Sequence, residues 1–570
     1  LLSERDLALP KEVEGPEDAE VFETDSERDA DEVFPQSVAS GGPASDGVVL
    51  WTRVNPELYA DDQPLGVEVA SDPDFEDEVY RGVVTNSEAI RRHDYTVKID
   101  LQGTLEPDRF YYYRFFYSGC RSRTGRCRTL PSPDSSPDEV SFAVVTCQNY
   151  LNGYYGAYHH ISEEDIDFVV HVGDFIYESS AGDFKGLGSD EFEDREIELP
   201  SGNERVHTLE DYRYLYRTYR SDPLLQEAFE RHTVIPARDD HEIANDVYWD
   251  YEEGGPKAKH PRGDDTDFMT RLTADAMHAW WEYMPTRVEY DPDSEGLQNR
   301  FRLWRSMEFG DLVDLIMTDE RLFRHPPRET LLPTRSDVAP EKEDEDRTML
   351  GDAQRDWFVD EVRSSEATWT VWSDEVLPAP LRVGVGPLSV YPVRSGWDSY
   401  TRERREIFEE FADSDVSNLV TLTGDMHCYI AGYLRLEREG RLSHLFRNGD
   451  REDTGEEKTD LGVVFMTPAL TSLNIAEAVG VDDGLLSGPT ERFLSWSVKR
   501  MNPHIEFFNS HRNGYSVVEF TRESCTYTAY EVDKTENSRD AQKSVVKRFR
   551  VPEGEVELED VTHEEDVVDA

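Results

Sequence analysis

A change of grammar at the Pro- and Ser-rich stretch 131–137 constrains this chain more than any other feature. Before it, short β-type runs at 47–53, 95–100 and 111–117 are separated by Gly, Pro and Asp, with no helical period between them. Strands without helices bury their apolar sides against another sheet, so residues 33–130 are expected to form a small β-sandwich. After it, apolar runs at 142–146, 168–172, 312–318, 368–372 and 418–423 alternate with helix-period stretches such as 211–219, 269–283 and 353–363. That alternation demands an α/β or α+β layered domain, placed here at 138–551.

Charge bounds the function. The chain carries 121 Asp or Glu against 60 Lys or Arg, a formal net charge of −61. Binding to nucleic acid or an anionic membrane needs clustered cations that release counterions, so neither is expected as a partner. The cations are 11 Lys and 49 Arg, and the acids run along the whole sequence. A carboxylate-rich, Lys-poor surface points to a salt-adapted protein, because concentrated salt screens its self-repulsion. Residues 1–32, with 13 acids and three basic residues, are expected to be a solvated, mobile leader, and 552–570, with nine acids and no Lys or Arg, a mobile tail. The polar stretches 181–207, 251–267 and 325–347 have the length of lids. Nothing approaches the ~18 consecutive apolar residues of a membrane span. Five cysteines are too few for a disulfide framework, although Cys120 and Cys127 are spaced to close a small hairpin.

Several apolar runs end in side chains that bind metals or phosphate. The run at 142–146 leads into Cys147 and Asn149, and the next into Gly173, Asp174, Tyr177 and Glu178. The segment 234–236 leads into Asp239, Asp240, His241, Glu242, Asn245 and Asp246, and the run at 418–423 into Gly424, Asp425 and His427. In an open α/β sheet ligands lie beyond the carboxyl ends of the strands. A single Gly-Asp turn or buried Cys is ordinary structure; their recurrence at successive strand ends points to a metal site. Carboxylate oxygens suit calcium, whereas thiol, phenol and imidazole together favour a transition metal such as iron.

These segments resemble the PhoD-like alkaline phosphatase family over most of 33–551. FPQSVASG at 34–41 and VVLWTR at 48–53 resemble its N-terminal module. CQNYLNGYYGAY at 147–158 and HVGDFIYE at 171–178 match it most strongly; DDHE at 239–242, Asp319 to Arg321, MLGDAQ at 349–354, Asp425 with His427, NPH at 502–504 and Gly514 with Tyr515 follow in family order. The resemblance implies a metallophosphoesterase core, a four-layer α/β/β/α sandwich, behind an immunoglobulin- or fibronectin-like β-sandwich. It implies Fe³⁺ held by Cys147, Asp174, Tyr177 and His427, and Ca²⁺ held by Asp240 and Asp425, with Asp174 bridging toward calcium. The resemblance places His241 beside the scissile phosphate and Asn245 on calcium or phosphate, and Arg321, within Asp-Glu-Arg, is expected to clamp a phosphate or to pair with Asp319 or Glu320 as a surface ion pair. His504 is a weaker site candidate. Small phosphate esters are the implied substrates, attacked in line at phosphorus, and the implied location is extracellular, after an export segment absent from this chain. Arg238 stands where the family carries an aromatic residue, and 373–378 departs from its usual neighbours, so a strict phosphodiesterase or phospholipase-D-like enzyme remains an alternative, as does a non-catalytic binding protein.

Overall fold

The computed structural model describes residues 11–563 apart from 14–15, 181–191, 329, 331–332, 335–336, 341–342, 345, 385–388, 415, 439–456 and 482–486. At the centre of a ten-stranded sheet, the strands Glu139–Val145, Phe168–His171 and Thr233–Pro236 run parallel. The antiparallel strands Gly514–Thr521, Ser524–Val532 and Lys543–Pro552 extend one side of this sheet. A second, seven-stranded sheet is also parallel at its centre, through Val313–Met317, Trp369–Ser373, Leu419–Thr423 and Glu457–Met466.

Successive residues of a strand point to opposite faces, and the sequence uses both. Phe142, Val144, Phe168 and Val170 face Leu315, Trp369, Val371 and Val420 of the other sheet in one apolar core. Ala143, Val145 and Val169 point the other way, into a core with the helices Gly156–Glu163, Leu209–Arg220, Pro223–Arg231 and Thr266–Tyr283. On the second sheet, Ile316, Trp372 and Leu419 meet the helices Asp352–Ser364 and Thr401–Ala412. Local chemistry sets the helix ends. Thr208 and Asp211 form a capping box at the start of Leu209–Arg220, and Asp222 caps Pro223–Arg231, whose first residue is proline.

The front region departs from the expected appendage. Val38–Ala44, Gly47–Arg53 and Thr96–Asp100 belong to the ten-stranded sheet itself, joined to it where Gly41 pairs with Val234. A Cβ at Gly41 would lie 2.0 Å from the Pro285 carbonyl oxygen, so only glycine permits that approach. A six-stranded sheet that includes Leu65–Ala70, Glu78–Val84 and Phe110–Tyr117 closes the region around Leu50, Val67, Val97 and Phe115.

Three expectations are corrected. The leader is docked from Lys11 on: Lys11–Glu12 pairs with Glu78–Val84, and Phe22 packs edge-on against Phe116 with centroids 5.2 Å apart. Its apolar residues outweigh its charge there. Likewise Glu559–Asp560 of the tail pairs with Lys543–Pro552. Cys120 and Cys127 are free thiols, because Cys120 pairs with Tyr117 and Cys127 with Tyr111, positions ~20 Å apart along one strand. The stretch 251–267 is no bare loop, since Gly255–Lys257 forms a hairpin with Tyr248–Asp250. Most of 181–207 and parts of 325–347 lie outside the described residues.

Candidate metal centre

Parallel strands from both sheets end at one place. The ten-stranded sheet delivers Cys147, Asp174 and the 239–241 triplet; the seven-stranded sheet delivers Arg321, Asp425 and His427. The turns that aim these groups inward are strained. Cys147, Asp174, Asp425 and His427 have φ of +53°, +59°, +69° and +52°, a left-handed conformation costing a non-glycine residue ~1–3 kcal/mol. Gly173, at φ +102°, makes the turn before Asp174, and a Cβ there would lie 2.4 Å from the Asp239 Cβ. The buried Glu242 carboxylate fixes this junction, accepting the backbone N–H groups of Asp174, Phe175 and Asp239 at 3.2, 2.6 and 2.9 Å.

Asp174 is the hub. Its Oδ2 accepts from the Cys147 thiol at 3.4 Å and the Tyr177 hydroxyl at 3.0 Å, and that hydroxyl lies 3.2 Å from His427 Nε2. Ligand atoms of Cys147, Asp174 and His427 lie within 4.8 Å of one another, as do those of Asp174, Asp240 and His241, and those of Asp239, Asp240 and Asp425. Asp174 and Asp240 therefore link three clusters into one. His427 Nδ1 donates to the Leu473 carbonyl at 2.6 Å, which leaves Nε2 to present its lone pair to the cluster. Burial lowers the His427 pKa to about 4, so the imidazole is neutral.

The carboxylates are under strain of a different kind. Burial raises the Asp174 pKa to about 8, and burial also raises Asp239 and Asp425. Burial pushes the Cys147 thiol and Tyr177 phenol up too, with Asp174 adding to both. Asp240 moves down: burial opposes its ionisation, but Arg321 and His241 favour it. A bound cation reverses this logic by favouring every anionic donor.

Arg321 is the cation the chain itself supplies. Fully buried, it bonds Asp239 through Nε and Asp425 through Nη2 at 2.6 Å. Its Nη1 sits 3.6 Å from Asp240 and has no hydrogen-bond partner. His241 stacks on Tyr177 with ring centroids 4.1 Å apart, and its Nδ1 contacts Glu178 at 2.7 Å. Burial disfavours its charge, yet Asp174, Glu178 and Asp240 together raise its pKa well above the ordinary value. Glu178 also pairs with Arg205 at 2.7 Å and accepts the Asn245 N–H at 3.0 Å, which brings Asn245 to the rim. Arg238 is buried against Asp319 at 2.6 Å, as an ion pair. His504 bonds the Pro380 carbonyl at 2.9 Å and serves that turn.

The sequence placed Asp239, Glu178 and Glu242 at the strand ends but gave them no individual role. Asp239 stood beside a chosen ligand, and Glu178 ended a quoted motif; what reveals their roles is a hydrogen-bond partner far away in sequence.

A profile of the PhoD-like phosphatase family matches residues 142–529, and one of its N-terminal domain matches 19–131. Alkaline phosphatase D of Bacillus subtilis (strain 168) is 30% identical over 494 residues, covering 85% of this chain and 74% of the relative. The chain belongs to the PhoD-like phosphatase family. A solved structure of PhoD superposes with a TM-score of 0.76 at 26% identity, covering 94% of this chain and 93% of that one. This PhoD-like chain is thus a hydrolase of phosphate esters, an enzyme of metal-dependent type. Its donor set fits that chemistry, since several buried carboxylates, a thiol, a phenol and a neutral imidazole converge beside the cations Arg321 and His241. No helix among the described residues is long and apolar enough to cross a membrane.

Proposed function

We propose that the chain hydrolyses phosphomonoesters and phosphodiesters at a mixed iron and calcium centre. The observation that carries this reading is the sharing of Asp174 between a sulfur, oxygen and nitrogen set and an oxygen-rich one. Cys147, Asp174, Tyr177 and His427 would hold Fe³⁺; Asp240 and Asp425, joined by Asp239 and with Asp174 bridging, would hold Ca²⁺. When bound, such ions lower the pKa of water and neutralise phosphoryl charge.

The remaining roles belong to the chain's own residues. His241, kept cationic by Glu178 and Asp174, stabilises charge on the leaving oxygen or protonates it. The Glu178 contact holds the ring with Nε2 turned from the carboxylate toward the substrate side. Arg321 offers its unbonded Nη1 to a phosphoryl oxygen, and Asn245 lines the rim beside it. Through its other nitrogens Arg321 also keeps Asp239 and Asp425 together, a buried pairing in place of the expected surface pair with Asp319 or Glu320.

The reading extends to the frame. The cores described above support a four-layer α/β/β/α arrangement, and the two front sheets support an immunoglobulin- or fibronectin-like sandwich. We include secretion and a salt-rich setting, the latter because a net charge of −61 opposes an anionic substrate in dilute buffer.

Metal analysis with absorption spectroscopy tests the centre. Purified protein should contain iron and calcium and show a visible phenolate-to-iron band that Tyr177→Phe abolishes. Protein active without iron, or a band unchanged in Tyr177→Phe, would remove the iron assignment. Turnover of a bis ester but no monoester would narrow the enzyme to a phosphodiesterase.

A further inference from the structure

A second mixed donor set lies away from the strand ends, where the front region meets the helix Thr266–Tyr283. His278 and Glu282 are four residues apart on that helix and share a face. His93 reaches them from the end of the helix Ser87–Arg92. One ligand atom from each of the three lies within 4.8 Å of the others. Glu282 Oε1 is 3.2 Å from His93 Nδ1 and 2.8 Å from His278 Nε2.

The His278 contact is the informative one. A ring nitrogen that close to a carboxylate oxygen requires a positive centre between them, either a proton or a metal ion. The buried His278 Nε2 faces Glu282 Oε1, and His93 Nδ1, hydrogen-bonded to the same oxygen, faces it as well. Two imidazole nitrogens converging on one carboxylate oxygen have the spacing of a coordination set. With metal–nitrogen and metal–oxygen distances of ~2.0–2.2 Å and angles near tetrahedral, two donors stand ~3 Å apart. His278 Nδ1 lies 3.1 Å from the Tyr290 hydroxyl, an outer hydrogen bond of the sort that orients metal-ligating histidines. Arg213 donates to both oxygens of Glu282, at 2.7 Å through Nε, and keeps the carboxylate ionised. Lys98 faces the same carboxylate, but burial lowers its pKa to about 7, so at alkaline pH it adds no competing charge.

We propose that His93, His278 and Glu282 bind a zinc-class divalent ion that ties the front region to the helix Thr266–Tyr283. Two imidazoles and one carboxylate suit zinc or a neighbouring first-row ion, with water completing the sphere. The site is structural, and its binding free energy adds to the docking of the front region onto the core.

The test is a Zn²⁺ titration of the iron- and calcium-loaded protein, read by bound-metal analysis and thermal melts. Wild type should take up one zinc equivalent and melt several degrees higher, and His278→Ala should lose both effects. Tyr290→Phe, which keeps all three ligands, should bind zinc about 10-fold more weakly. Equal zinc stoichiometry and an equal melting shift in wild type and His278→Ala would overturn the proposal. Should His278→Ala fail to fold, an unchanged zinc affinity in Tyr290→Phe would overturn it as well.

Discussion

The two large sheets bring their strand ends to one place by different means. On the ten-stranded sheet a web of protein hydrogen bonds sets the functional groups: Glu242 pins the turns at 174 and 239, and Glu178 pins His241 and the Asn245 amide. On the seven-stranded sheet Asp425 and His427, on backbone as strained as that of Cys147 and Asp174, have Arg321 and the Leu473 carbonyl as their main partners. The first side thus carries a hydrogen-bonded frame already formed by the protein. Buried acids lie on both sides, at Asp174 and Asp239 as well as Asp425, and a bound cation would favour the charged form of each. Framing is concentrated on the first sheet while neutralisation is shared, so substitutions of the frame and of the buried acids should fail differently.

Asp174 joins both sides, so its loss should have the largest effect. Asp174→Asn should lower p-nitrophenyl phosphate turnover by about a thousandfold, the equivalent of several kcal/mol of charge stabilisation, with the fold intact by circular dichroism. The contrast itself is tested by a pair. Glu242→Gln should destabilise the protein by about 1–3 kcal/mol in urea melts, since a buried backbone N–H loses its acceptor. Asp425→Asn should abolish activity yet leave the metal-free protein at least as stable as wild type, because it removes a carboxylate that burial already disfavours. Equal destabilisation by both would erase the distinction between the sheets.

Salt should have a smaller effect, raising the rate severalfold between dilute buffer and ~3 M, where the Debye length falls below ~3 Å. A maximal rate in dilute buffer would contradict the salt-adapted reading. The smallest effect concerns Glu403, a buried carboxyl beside the second sheet that accepts from Thr348 at 2.6 Å. Burial raises its pKa to about 7 from 4.5. The folded state therefore binds the extra proton, and this contribution is full below pH 4.5 and lost as pH rises to about 7. Glu403→Gln should flatten the stability profile across that window, as measured by melts at successive pH values.

What was legible in the sequence follows the same division. Apolar runs located most of the parallel strands to within three residues, because both faces of those strands are buried, while the strand Glu457–Met466 had no such reading. The ends of the runs then yielded Cys147, Asp174, Asp240, Asp425 and His427, which the structure draws together. The roles of Glu178, Glu242 and Asp239, though they stood at the same run ends, were not legible, since they depend on partners such as the 173–175 turn and Arg205. The continuity of the front region with the main sheet rests on the pairing of Gly41 with Val234, 193 residues apart, for which no local pattern exists. A leader read from its charge alone concealed Phe22, whose contact with Phe116 docks it.

The most direct test of the central claim is the initial rate of p-nitrophenyl phosphate hydrolysis at alkaline pH before chelation, after it, and after calcium and iron are restored. The account predicts that turnover collapses on chelation and returns only when cations are added back, with Asp174→Asn inert at every stage. An unchanged rate in protein shown to be free of bound metal would contradict it.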